Sequence, residues 1–255
     1  MLKQNVVAEL TRRGQEVFIR HSVDYSWEDI VQGCDVSGKD EKQRAVDTNT
    51  WRSLWRKDKK DKTCLGPSKV FVSYFLRNKK SLLERLTAVK GLDDYNASLN
   101  NIHHDLLIEL RQYIKPSILE SYNAARKPID LYIEHLVAMA KELNGYRESL
   151  IPLLALPLDS KMMARPECFE DGELRRNGIR RGNGFLHVRT EDMYLDLQQA
   201  LRGRCTRLSD TEGHDIYPIY FDLLWNQRLT RPGRNLFEIN PKRVVGGRHI
   251  SNLSS

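Results

Sequence analysis

The sequence lacks the long apolar runs of membrane-spanning and secreted proteins. Its longest unbroken apolar stretch, residues 150–158, includes proline and is too short to cross a bilayer. The N-terminus has no apolar core of the kind found in signal peptides and carries Glu9 and Glu16 where that core would lie. These absences predict a cytoplasmic protein with no membrane partner.

Cysteine is scarce, and its spacing is uninformative for metal binding. The four cysteines form no CxxC pair. This spacing supports neither a disulfide scaffold nor a zinc ribbon, so we expect free, mostly buried thiols. The cysteines are Cys34, Cys64, Cys168 and Cys205.

Several common catalytic motifs are also missing. The sequence contains no HExxH pair, no Walker A loop, no GxGxxG turn and no GxSxG elbow. These patterns build zinc proteases, phosphate-binding loops, dinucleotide sites and serine hydrolases. The common hydrolase and nucleotide-binding classes therefore lose support.

What the sequence does have is an excess of positive charge, concentrated as arginine near the C-terminus. The net charge is +7. Residues 161–255 carry 12 acidic residues and 16 cationic residues, and 14 of these cations are arginine. The planar arginine fork suits bidentate contact with phosphate. This basic surface favours a nucleic-acid partner, DNA rather than RNA, with a homodimer left open. The alternative is a structural or interaction protein in which these arginines pair with the local acids.

Apolar spacing predicts a mainly α protein of the α+β class, in which a helical core carries a few C-terminal strands. Gly66-Pro67 is the best boundary in the first half of the chain, and the composition changes again after Pro157. Three units are expected: a helix-turn-helix-like N-terminal unit at 1–66, a central helical core at 67–160, and an arginine-rich α+β segment at 161–255.

Local signals predict where several elements begin. A first helix is expected over residues 2–20, and Ser26, Thr50 and Thr190 are each predicted to cap the helix that follows. Pro116 and Pro128 each stand where a helix could start. Aromatic and β-branched residues at 216–225 predict an edge strand.

Residues 26–37, SWEDIVQGCDVS, resemble the first helix and turn of a helix-turn-helix, with Asp35 at the left-handed turn position. Glu41 stands where that motif has an apolar residue, so residues 38–49 must be an insertion and 50–62 the recognition helix. The resemblance implies that five cations of this helix face DNA. An ordinary solvated helix is the alternative. The cations are Arg52, Arg56, Lys57, Lys59 and Lys60.

An enzymatic alternative comes from three residues that resemble the signature of PD-(D/E)xK nucleases. Asp130 follows Pro128-Ile129, and Asp159 and Lys161 form an Asp-x-Lys pair after an apolar run. In that family two carboxylates hold a divalent metal and the lysine helps to activate water. The resemblance implies a Mg²⁺-dependent, restriction-like endonuclease with Asp130 and Asp159 as metal ligands. Alternatively, Asp159 caps a helix.

The glycine-rich stretch after residue 172 offers two further hypotheses. Arg180 and Arg181 adjoin glycines whose backbone amides suit a phosphate-binding loop. Arg181 and His187 also match the Arg-x5-His motif of HEPN ribonucleases. This stretch resembles that family only in the spacing of the two residues. Elsewhere, the adjacent His103 and His104 point about 100° apart on a helix and cannot chelate one ion, and we expect His135 to be a hydrogen-bonded core histidine.

Overall fold

The computed structural model describes residues 4–20, 25–35, 42–54 and 65–227, and this part of the chain is mainly helical, as predicted. Its α-helices are α1 (Gln4–Gly14), α2 (Trp27–Gln32), α3 (Thr48–Arg52), α4 (Pro67–Arg77), α5 (Lys79–Thr87), α6 (Leu92–Tyr113), α7 (Pro116–Leu119), α8 (Tyr122–Met139), α9 (Arg147–Leu150), α10 (Ser160–Met163), α11 (Asp171–Arg176) and α12 (Glu191–Glu212). A π-helical segment at Gln15–Ile19 continues α1. Short 3-10 helices cover Lys141–Tyr146, Ile151–Leu153, Phe185–His187 and Pro218–Gln227.

Helix α8 is the central element of the core. It contacts α2, α6, α7, α9 and α12, and nearly all of its side chains are buried. The prediction that a helix starts at Pro128 is wrong, because α8 begins at Tyr122 and runs through the proline. The earlier start is possible because Tyr122 N–H and Asn123 N–H donate to the carbonyls of Arg189 and Val188.

Two predicted caps are confirmed. Ser26 accepts a hydrogen bond from Asp29 N–H and forms a reciprocal capping box with the Asp29 side chain. Thr190 accepts from Met193 N–H and starts α12. The prediction for Thr50 is wrong, because Asp47, three residues earlier, caps α3.

The described residues do not form the predicted helix-turn-helix. After α2 a positive φ of +86° falls at Gly33, and Asp35, the predicted left-handed position, lies in a β-strand. Strand β1 (Cys34–Asp35) then pairs antiparallel with β2 (Lys42–Gln43). A two-stranded ladder therefore stands where the motif needs a tight turn. The second helix, α3, ends at Arg52, and residues 55–62 of the predicted recognition helix lie outside the described part.

The strand predicted at 216–225 is wrong, since a 3-10 helix covers Pro218–Gln227. Residues 218–224 are all buried, whereas an edge strand would alternate between buried and exposed side chains. This segment packs against α1, α10 and α12. The ring of Tyr220 stacks on Phe18 at 5.9 Å between centroids. Burial on several sides explains the apolar composition that suggested a strand.

Buried side chains from residues 7 to 224 join one hydrophobic cluster that includes members of all three predicted units. Within the described residues, Cys168 and Cys205 are buried free thiols, as predicted. Cys64 lies outside them. Among the helices of the described ranges, none has the length and apolarity needed to traverse a bilayer.

Candidate nucleic-acid interface

A concentration of positive charge runs from the last turn of α11 to the N-cap of α12. Residues 174–190, LRRNGIRRGNGFLHVRT, contain five arginines and one histidine but no aspartate or glutamate. We call this stretch the arginine segment. It includes two of the predicted phosphate-binding residues, Arg180 and Arg181.

The arginine segment turns twice at glycine. Gly178 and Gly182 have φ values of +65° and +92°, which residues other than glycine rarely adopt. Between them, Arg180 N–H donates to the Asn183 side chain at 2.7 Å and Asn183 N–H donates to Arg180 O at 2.9 Å. The turn at 180–183 is therefore fixed by its own hydrogen bonds.

Arg181 anchors this turn to the rest of the protein. Its Nε donates to Asp171 Oδ1 at 2.7 Å. Its Nη1 and Nη2 donate to the carbonyls of Ala164 and Phe169, each at 2.9 Å. Most of the guanidinium donors are thus committed to protein acceptors. The structure gives Arg181 a positioning role that the sequence reading did not foresee.

The other four arginines of the segment are exposed. Within residues 4–20, 25–35, 42–54 and 65–227, none of the four forms an ion pair. Their forks remain available for a phosphate group. The four are Arg175, Arg176, Arg180 and Arg189.

Other C-terminal arginines are used internally, which the sequence alone could not show. Arg204 is buried and donates to the carbonyls of Pro166 and Glu167 at 3.0 and 3.1 Å. It also pairs with Glu173 at 3.1 Å. Arg202 donates to the carbonyls of Pro152 and Leu153 at 2.9 and 2.7 Å. Both predicted uses of arginine, internal pairing and an open face, therefore occur in different residues.

Arg181 and His187, the spacing match to HEPN ribonucleases, line different cavities. Arg181 lines a cavity of about 920 Å³ with Arg204 and Arg207. His187 lines a separate cavity of about 250 Å³ with Ser121 and Arg189. The structure does not bring the two side chains to a common site.

Among the five predicted cations of the N-terminal helix, the structure describes Arg52, which is exposed at the end of α3. The neighbouring Trp51 packs on Phe71 at 5.2 Å between ring centroids, and Leu54 is buried. Both side chains therefore pack towards the protein interior. The remaining cations, Arg56, Lys57, Lys59 and Lys60, lie outside the described residues.

Asp130, the first residue of the nuclease-like set, lies in the centre of the protein. Its Oδ1 accepts from Arg126 Nε and its Oδ2 from the Tyr194 hydroxyl, both at 2.8 Å. The Arg126 guanidinium also lies over the Tyr194 ring, 4.5 Å from its centroid. Both carboxylate oxygens of Asp130 are therefore engaged by protein donors.

Asp159 caps α10, as the alternative reading predicted. Its Oδ1 accepts from the N–H groups of Lys161 and Met162, each at 2.9 Å. Its Oδ2 accepts from Trp225 Nε1 at 2.9 Å and lies 3.5 Å from Lys127 Nζ.

The residue that meets Asp159 is therefore Lys127, which sequence reasoning missed, rather than Asp130. Lys161 lies nearby, with its Nζ 4.8 Å from the centroid of the Trp225 ring. Burial lowers the pKa of Lys127, while the charge of Asp159 partly restores it. A single carboxylate paired with the Lys127 ammonium differs in charge from the two-carboxylate metal site of the nuclease family. In the part of the chain that the structure describes, no group of three or more His, Cys, Asp or Glu side chains could hold a metal ion.

The histidine predictions are confirmed. His135 is buried and its Nδ1–H donates to Leu131 O at 2.7 Å. His103 is buried and donates to Tyr122 O at 3.0 Å, whereas His104 is exposed. The two adjacent histidines thus point to different environments.

No protein-family model matches this chain, and no curated protein and no solved structure matches it either.

Proposed function

We propose that this chain binds nucleic acid through the arginine segment. The observation that carries the proposal is the exposure of Arg175, Arg176, Arg180 and Arg189, for which the described residues supply no ion-pair partner. Exposed guanidinium groups release counterions when they neutralise phosphates, and this release supplies most of the affinity in non-specific nucleic-acid binding.

The segment is also held in place before any ligand arrives. Arg181 fixes the middle of the segment through Asp171 and two carbonyls. The C-terminal end is joined to the start of α8, where the Ser121 hydroxyl and Asn123 N–H both donate to Val188 O, at 3.0 and 3.2 Å. Because the segment is already ordered, binding loses less conformational entropy and the free-energy cost of association is smaller.

The proposal does not depend on a helix-turn-helix. Arg52, which is exposed at the end of α3, is proposed as a second phosphate contact, together with Arg56, Lys57, Lys59 and Lys60. The preference for DNA over RNA stays a prediction, because a guanidinium contact to phosphate serves either backbone.

The test is fluorescence anisotropy of a labelled DNA duplex and an RNA of equal length, titrated with the full chain over a series of salt concentrations. In a variant with Arg175, Arg176, Arg180 and Arg189 all changed to alanine, affinity should fall. The slope of log K against log salt should become shallower by about 3 to 4, since each phosphate contact contributes about 0.9.

A matched control removes the same charge elsewhere. The exposed residues Lys69, Lys80, Lys90 and Arg111 on and between α4, α5 and α6 are changed to alanine, and their variant should keep most of the slope. Equal losses in the two variants would show that only total charge matters. Absence of binding at low salt would favour the alternative of a structural or interaction protein.

A further inference from the structure

A small cavity adjoins the arginine segment, where residues 186–189 run past the end of α7. Its volume is about 250 Å³. Cavities that hold whole drug-sized ligands are larger, at about 300 Å³ or more, so this one suits a single unit of a longer ligand. Its wall is partly apolar and partly charged. The residues used in the argument are Ser117, Ile118, Glu120, Leu186, His187 and Arg189.

Hydrogen bonds tie the two walls of this cavity together. The Ser121 hydroxyl donates to Val188 O at 3.0 Å, and Tyr122 N–H donates to Arg189 O at 2.9 Å. Glu120 is adjacent in sequence to Ser121. The backbone positions of Glu120 and Arg189 are therefore set by the fold before any ligand arrives.

Glu120 and Arg189 bring opposite charges to the same cavity, yet they do not pair. Both residues are exposed. In the part of the chain that the structure describes, neither forms an ion pair with the other or with a third residue. A ligand that meets both must carry an anionic group for the guanidinium and a hydrogen-bond donor for the carboxylate.

His187 adds a polar atom that can bond to the same ligand. Its Nδ1–H donates to Gly184 O at 3.1 Å, which orients the imidazole ring. Its Nε2 has no hydrogen-bond partner among the described residues. This atom accepts from a hydroxyl when the ring is neutral and donates to a phosphate when the ring is charged. The exposed hydroxyl of Ser117 on α7 offers a further donor.

We propose that this cavity binds one ribonucleotide unit of an RNA strand and gives the arginine segment a preference for RNA over DNA. Arg189 binds a backbone phosphate, and Glu120 accepts a hydrogen bond from the 2′-hydroxyl of the adjoining ribose. Ile118 and Leu186 contact the apolar side of the sugar. The inference rests on the proposed nucleic-acid binding by the arginine segment.

The carboxylate of Glu120 is the reason to choose RNA. A carboxylate among phosphate-binding arginines repels the phosphates of any nucleic acid. It becomes favourable when the ligand supplies a donor, and along the internal sugar-phosphate backbone the 2′-hydroxyl of RNA is that donor. Carboxylates bind ribose 2′-hydroxyls in the same way in dinucleotide sites. The inference thus runs against the preference for DNA that the sequence predicted.

The test is fluorescence anisotropy of three labelled single strands of equal length, titrated with the full chain at one low salt concentration. The strands are oligouridylate, its deoxy counterpart, and a 2′-fluoro form that keeps the RNA-like sugar pucker but cannot donate. RNA should bind about 10-fold more tightly than either of the others, because a hydrogen bond to a charged group is stronger than a neutral one.

Glu120→Ala should reduce the ratio of RNA affinity to DNA affinity to about 1, because the acceptor for the 2′-hydroxyl is lost. DNA binding should be retained or slightly strengthened, since one negative charge is gone, and its retention shows that the variant is folded. The control Glu148→Ala removes another exposed glutamate, on α9, and should leave the ratio unchanged.

The possible contrary results have different meanings. Three results each overturn the ribonucleotide site while nucleic-acid binding by the arginine segment stands. They are equal binding of RNA and DNA by the wild type, a ratio that Glu120→Ala leaves unchanged, and a 2′-fluoro strand that binds like RNA. Absence of binding to all three strands at low salt overturns both proposals.

Discussion

Arg126 and Asp130 form an ion pair one turn apart on α8, with Nε and Oδ1 at 2.8 Å and side chains 0% and 1% exposed. Arg126 Nη1 also donates to the Tyr122 hydroxyl at 3.1 Å. Such a pair offsets its own desolvation only when both members are present, because either charge alone would be buried without compensation. Asp130 is thus explained by its place in the core.

We therefore predict that Asp130→Asn lowers the free energy of unfolding by about 3 to 5 kcal/mol, because Arg126 keeps its charge and loses its counter-ion. Urea unfolding followed by circular dichroism measures the change. The exposed Asp192→Asn serves as the control and should stay within about 0.5 kcal/mol of the wild type. A loss below about 1 kcal/mol for Asp130→Asn would contradict the ion-pair account.

The stability of the protein should depend on pH through His103. Burial lowers the pKa of His103 from 6.5 to about 4. Between these two values the unfolded chain binds the proton and the folded chain does not, so stability is complete above pH 6.5 and is lost as pH falls towards 4.

The full loss from this group is about 3 kcal/mol. In His103→Gln the dependence of unfolding free energy on pH should flatten over this range, as measured by urea titrations at several pH values. The exposed neighbour His104 provides the matched variant, His104→Gln, which should keep the wild-type curve. Identical curves for all three proteins would show that His103 is not the group responsible.

Gly14→Ala should destabilise the protein, although alanine is the better helix former by about 1 kcal/mol. The new Cβ would lie 2.4 Å from Tyr220 Cγ, and forcing a methyl group into a packed core costs about 1 to 3 kcal/mol. Thermal unfolding measures the sign. In the matched variant Gly203→Ala, the new Cβ would meet Arg207 Nη1 at 3.7 Å, an ordinary van der Waals contact, so that variant should gain stability. A gain in both variants would mean that the Tyr220 ring moves aside easily.

Asp159→Ala should lower the free energy of unfolding by about 2 kcal/mol, because the α10 cap and the partner of Lys127 are lost together. Asp159→Asn separates the two effects, since asparagine also caps helices but carries no charge. We expect a smaller loss in this variant. Equal losses would assign the whole effect to charge.

The same variants test the nuclease alternative. Plasmid DNA is incubated with Mg²⁺ and each protein at a temperature where all of them are folded. Cleavage by the wild type that disappears in Asp159→Ala would support catalysis at this site, and cleavage that persists in the variant would exclude Asp159 from it.

The sequence predicted a helix start correctly where the capping side chain and the N–H group that it accepts from lie within a few residues of each other. Ser26 and Thr190 cap helices because their side chains reach an N–H three residues ahead. Asp159 does the same for α10. The helix start predicted at Pro128 and the strand predicted at 216–225 were wrong, because contacts with segments distant in the sequence determine the structure at both places. The carbonyls of residues 188 and 189 extend α8 backwards, and α1, α10 and α12 surround the C-terminal 3-10 helix.

The sequence by itself determined the helical class, several helix starts and the excess of arginine near the C-terminus. Only the tertiary structure decided which arginines face solvent and which are consumed inside. Arg204 finds its acceptors 31 to 38 residues away, whereas Arg180 finds no ion-pair partner among the described residues. The reason is physical: helix caps depend on neighbours along the chain, but the pairing of a long charged side chain depends on which surfaces the fold brings within reach.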